Sequence, residues 1–161
     1  MGLFCMPENL KVVSAFKPQS SNGGITSDTV SMQHVQRAWV VLHISNAGAA
    51  DTTDVTIYQA TSAEAAAANA TTAATYKIWV NAASSSSDTL IAQTDAYMFS
   101  TTTAQTDQVV VFQIDPLDLV DTYDCVQVRI SDTSTASNYA DGMFYLLTTY
   151  PSATPPAAIS T

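Results

Sequence analysis

The sequence predicts an all-β domain: an antiparallel β-sandwich, or a jelly-roll-like barrel, of about 7–8 strands with an extended N-terminal arm and a proline-rich C-terminal tail. Three observations point there. Short apolar runs alternate with a period of two, the period of a strand with two distinct faces. Ser, Thr, Asn, Asp and Gly separate the runs, as turn chemistry requires. Thr, Val and Tyr fill the runs themselves, which suits a pleated, half-buried surface. At 161 residues the chain has the length of one domain, or of one domain with an arm.

In chain order, residues 1–29 read as an arm and turn, 30–150 as the β domain and 151–161 as an extended tail. Leu10 to Phe16 forms one extended segment, which Pro18 closes, and Gly23-Gly24 suits a loop at positive φ. From Arg37 to Ser45, Ala38, Val40, Leu42 and Ile44 share one face, while Trp39, Val41 and His43 share the other. Both faces are apolar, so this strand is expected to be central and covered on both sides, with the tryptophans and His43 in the core. Further strands are expected at Asp54–Ala60, Tyr76–Val80, Asp95–Ser100, Gln108–Ile114, Asp124–Ser131 and Gly142–Thr149. Thr61 to Thr75, with its Ala65–Ala68 run, reads as a loop with at most two helical turns. Ser84–Ser87 is a solvated connection. Pro151, Pro155 and Pro156 keep the tail out of any central strand.

Charge narrows the function. Hydrophobic residues make up 47% of the chain and charged residues only 12%; five Lys and Arg against fourteen Asp and Glu leave a net charge of −9. Five scattered cations cannot build a phosphate-binding groove, so nucleic acid is excluded as a partner. An anionic membrane surface is excluded for the same reason, and no apolar stretch reaches the ~20 residues of a membrane span. Met1 to Glu8 lacks a basic n-region and a long apolar h-region, which predicts a protein made in the cytoplasm and exported only upon something larger.

Catalytic and metal-binding signals are sparse. Two histidines, His34 and His43, and many serines permit a triad on paper, but no Gly-x-Ser-x-Gly elbow accompanies them. Asp115, Asp118, Asp121 and Asp124 recur every third residue, without the glycine and terminal glutamate of an EF-hand loop. Asp115-Pro116 instead suits a short helical turn, with Asp115 as its cap. Cys5 and Cys125 permit one disulfide, but reduced thiols are expected, with Cys125 packed as a small apolar side chain. The expectation is therefore no enzyme activity, no metal and no cofactor. Acidity, together with Tyr, Thr and Ser in quantity, favours a wet protein–protein contact.

The order and spacing of several blocks carry a resemblance that covers nearly the whole chain. They are Pro7–Phe16, Gly23–Asp28, Gln59-Ala60-Thr61, Ile78-Trp79, Asp88-Thr89-Leu90, Val110–Pro116, Asp124-Cys125-Val126 and Thr154–Ile159. In these the chain resembles small accessory proteins of tailed-bacteriophage virions, the head decoration or cement proteins encoded with the major capsid protein. The alanine run near Ala65 departs from that group. The resemblance implies a station on the outer capsid surface after assembly in the host cytoplasm, with the major capsid protein and sister subunits as partners. A homotrimer at threefold positions is the natural arrangement, and a dimer at twofold positions the next. The implied contacts lie in the arm (Leu10, Val12, Val13 and Phe16) and in the tail (Tyr150, Pro151, Pro155 and Pro156). On this reading the arm is dispensable for folding and adds to a strand edge of its partner. A head-fibre or tail component that binds a host receptor or carbohydrate is the alternative, separated by its copy number per particle; a bacterial surface or carbohydrate-binding module is a further one, favoured if Trp39, Trp79 and the tyrosines are exposed.

Overall fold

Period-two alternation gives each strand one apolar face, and two such faces closed on each other form a sandwich. A computed structural model describes residues 6–46, 52–63, 74–102, 107–133 and 137–149. Among these the strands are β1 (Leu10–Ser20), β2 (Ile25–Thr26), β3 (Val30–Ser31), β4 (Val35–Ser45), β5 (Asp54–Ala60), β6 (Lys77–Asn81), β7 (Ile91–Ala92), β8 (Met98–Ser100), β9 (Asp107–Ile114), β10 (Cys125–Ile130) and β11 (Tyr139–Thr148). One sheet has the order β1-β11-β4-β9-β6-β7, the other β2-β10-β5-β8, with β3 also paired to β10. Neighbouring strands run antiparallel. The protein is an all-β antiparallel sandwich, as the sequence predicts.

The main core is one large cluster between the sheets, with a small second cluster at Ala60 and Cys125. Val40, Leu42 and Ile44 of β4, Phe112 and Ile114 of β9 and Phe144 and Leu146 of β11 meet Val55 and Ile57 of β5 and Val126 and Val128 of β10. Several buried polar side chains are matched to partners, as burial demands. Gln59 Nε2 donates to the Tyr76 hydroxyl at 3.1 Å, and Gln59 Oε1 accepts from the Val120 amide at 2.9 Å. At one end of the sandwich Asn46, Thr53 and Thr101 bond to one another, which ties the end of β4 to the starts of β5 and the segment after β8.

Three expectations are corrected here. First, Leu10–Phe16 does not project as an arm: it is the first half of edge strand β1, in register with β11 from Leu10↔Leu147 to Ser14↔Met143. Val13 and Phe16, each 8% exposed, point into the core. Pro18 does not end the strand, which continues to Ser20 past register shifts at Ser14/Phe16 and Phe16/Gln19; an edge position tolerates the missing amide. Second, among the described residues β4 is covered on one face only. Its Ala38, Val40, Leu42 and Ile44 face is buried, while Trp39 and Val41 are half-buried on the outer face. Third, His43 is exposed on that outer face and lies 3.4 Å from the Asp141 carboxylate.

The glycine pair behaves as expected: Gly23 and Gly24 have φ of +86° and +77°. Asp115 caps the 3₁₀ turn Pro116–Asp118 by accepting from the Leu117 amide at 3.1 Å. The two-residue strands β2, β3 and β7 had no signal in the sequence, because a pairing so short is set by its partner strand. Cys125 is a buried free thiol; Cys5, the Ala65–Ala68 run and the tail lie outside the described residues.

Candidate functional site

The outer face of the six-stranded sheet is the most distinctive surface of the molecule. Antiparallel register lines up its outward side chains in rows across the strands. One row runs Val12, Tyr145, Trp39, Gln113, Lys77; the next runs Ser14, Met143, Val41, Val111, Trp79. Between these rows and their neighbours lies an apolar groove of about 470 Å³, lined by Leu10, Trp39, Val41, Leu90, Val109, Val111 and Tyr145.

Toward β1 the face becomes more open. Val12 is 42% exposed, Met143 39% and Tyr139 53%. Single exposed apolar residues are ordinary, but a group of them beside an edge strand marks a contact surface. Charge lies around the apolar rows. Arg37 stands 3.7 Å from Asp115 at one end of the groove, and the His43–Asp141 pair stands at the other. On the inner face of β1, opposite Leu146, partial burial lowers the pKa of the Lys11 ammonium, since desolvation disfavours its charged form.

Of the residues implicated in contacts by the sequence, the structure brings Leu10 and Val12 onto this face. It withdraws Val13 and Phe16 into the core, and Tyr150, Pro151, Pro155 and Pro156 lie outside the described residues. Sequence reasoning missed Trp39, Val41, Val109, Val111, Met143 and Tyr145 as surface residues. Their one available signal was the second apolar face of the Arg37–Ser45 run, which reads equally well as core.

The opposite sheet has a more polar outer face. Arg129 stacks 4.1 Å from the centre of the Tyr58 ring, worth about 0.5–1 kcal/mol at an exposed site. Gln127 donates to the Ser27 carbonyl at 3.0 Å. Burial, followed by the hydrogen bond to Asp124, pushes the Cys125 thiol up to about 12. Burial likewise pushes the Tyr76 phenol up to about 12. A thiol held protonated in this way is a poor nucleophile at neutral pH. Asp118, Asp121 and Asp124 are exposed, and no group of three or more His, Cys, Asp or Glu side chains placed to hold a metal ion occurs among the described residues.

Fold and surface together define an antiparallel β-sandwich with an apolar outer sheet face. No protein-family model matches the chain, and no curated protein sequence matches it.

Proposed function

We propose that this protein is a bacteriophage capsid cement, or decoration, protein. It binds the outer head surface as an oligomer, a homotrimer first and a dimer next, and bridges neighbouring capsid proteins to stabilise the shell. The observation that carries the reading is the exposed apolar group on edge strand β1 and its neighbour β11: Val12, Met143 and Tyr139. A strand at the end of a sheet, flanked by apolar side chains, suits strand addition by a capsid protein, with alternate side chains filling pockets. The resemblance to virion decoration proteins supplies the partner. Weak contacts made together by an oligomer gain about 10²–10⁴-fold in avidity, which fits a small contact surface. The net charge of −9 keeps the outward surface of a particle soluble.

The test is reconstitution. Purified heads lacking the protein should regain resistance to heat and osmotic shock when it is added. Its copy number should be comparable with that of the major capsid protein, and the Val12→Lys/Met143→Lys variant should fail to bind. A handful of copies per particle, or full binding by the variant, would sink the proposal.

A specific observation favours a second reading, a fibre or tail component that binds carbohydrate. Trp39, Trp79 and Tyr145 lie on the outer sheet face rather than in the core, where aromatic rings can stack on sugar rings. Titration with host surface polysaccharide, read through tryptophan emission, separates the two.

A further inference from the structure

We propose that the C-terminal segment of the same polypeptide, residues 150–161, lies in the apolar groove on the outer face of the six-stranded sheet. The inference is independent of head binding. Its first support is where the described chain ends. Thr149 donates its amide to the His34 carbonyl at 2.8 Å, and Leu147 stands between Leu10 and Arg37 in the sheet. The segment therefore departs from the end of the sheet at which Leu10 lines the groove.

The second support is reach. Trp39 is five positions along β4 from His34, about 17 Å at strand spacing. Twelve residues span up to about 40 Å, enough to reverse direction and still cross the face. The groove runs from Leu10 on β1 across β11 and β4 to Val109 and Val111 on β9, three strand spacings or about 14 Å, with Leu90 also lining it.

The third support is chemistry. Residues 150–161, Tyr-Pro-Ser-Ala-Thr-Pro-Pro-Ala-Ala-Ile-Ser-Thr, contain no charged side chain, in a protein that otherwise carries a net charge of −9. A groove lined by Leu10, Trp39, Val41, Leu90, Val109, Val111 and Tyr145 offers nothing to a charge. It does offer apolar contact to Tyr150, the prolines, Ala157, Ala158 and Ile159. Proline also lowers the entropy lost on docking.

Trp39 reports on the groove, and Trp79→Phe leaves it as the sole tryptophan. In that background a chain ending at Thr149 is expected to keep its β-sheet circular dichroism. Its Trp39 emission should move to longer wavelength, and acrylamide quenching should rise. A synthetic peptide of residues 150–161 should reverse both changes at up to about millimolar concentration, the effective concentration that a short tether supplies. If the truncated chain does not fold, the full-length Ala157→Asp/Ile159→Asp variant is read in the same two ways. Unchanged emission and quenching in the folded variant overturns the proposal. So does the same response on deleting residues 1–5 but not 150–161. A third result against it is a red shift of the full-length protein on dilution that tracks dissociation in sedimentation velocity, because the groove would then hold a sister subunit's tail.

Discussion

Phe16 and Val12 sit four residues apart on one strand, yet they answer to different forces. The Phe16 ring packs over Gly142 of β11: a Cβ placed on that glycine would collide with Leu42 and lie 3.3 Å from the Phe16 ring. The ring thus fills the space left by the missing side chain, and it is 8% exposed. Truncating a buried phenylalanine to alanine costs about 3–5 kcal/mol, from lost burial and the cavity left behind. In a domain of this size that lowers Tm by about 6–20 °C. Val12→Lys, by contrast, replaces an exposed edge residue and should alter stability by no more than about 0.5 kcal/mol, while abolishing head binding. The assay pairs thermal melts followed by circular dichroism with cosedimentation on heads. Removing residues 1–16 takes away Val13, Ala15 and Phe16 together with the pairing to β11, so it should unfold the domain rather than release a dispensable arm. A Phe16→Ala protein that melts like the parent but no longer binds heads would refute this reasoning and restore the arm.

Further expectations follow from buried or strained groups. Tyr76→Phe leaves Gln59 Nε2 without its hydroxyl partner and should cost about 1–3 kcal/mol in urea unfolding. The same phenol has its pKa raised from 10.0 to about 12. Ionisation above pH 10 therefore favours the unfolded chain, so stability should fall as pH rises from 10 toward 12, and less steeply in Tyr76→Phe. Cys125, raised from 9.0 to about 12, should resist alkylation at pH 8 in the native state, with denaturant releasing it. Gly24→Ala should destabilise by about 1–2 kcal/mol, since Gly24 has φ of +77° and its Cβ would lie 3.2 Å from the Ile130 carbonyl. Thr122→Gly should do the reverse, because a β-branched residue there is held at φ of +82°; paired chemical-denaturation curves check both.

Much of the fold was legible because it is written locally. The alternation in Asp54–Ala60 and Gln108–Ile114 specifies a strand and which residues share a face, whatever the partner. Asp115-Pro116 and Gly23-Gly24 likewise act within a few residues of themselves. What local chemistry could not determine was which way an apolar face points. In β4 both Ala38-Val40-Leu42-Ile44 and Trp39-Val41-His43 read as core, and only long-range pairing together with the packing of the second sheet onto the first set left the second set outward. The same long-range pairing absorbed Leu10–Phe16 into the sheet, drew Val13 and Phe16 inward and left Val12 outside. Alternation thus settled that this chain is an antiparallel all-β domain, and the pairing of its strands made it a sandwich rather than a barrel. The surface it offers to a partner was decided by contacts between residues more than a hundred positions apart, as between β1 and β11, and no local pattern encodes those.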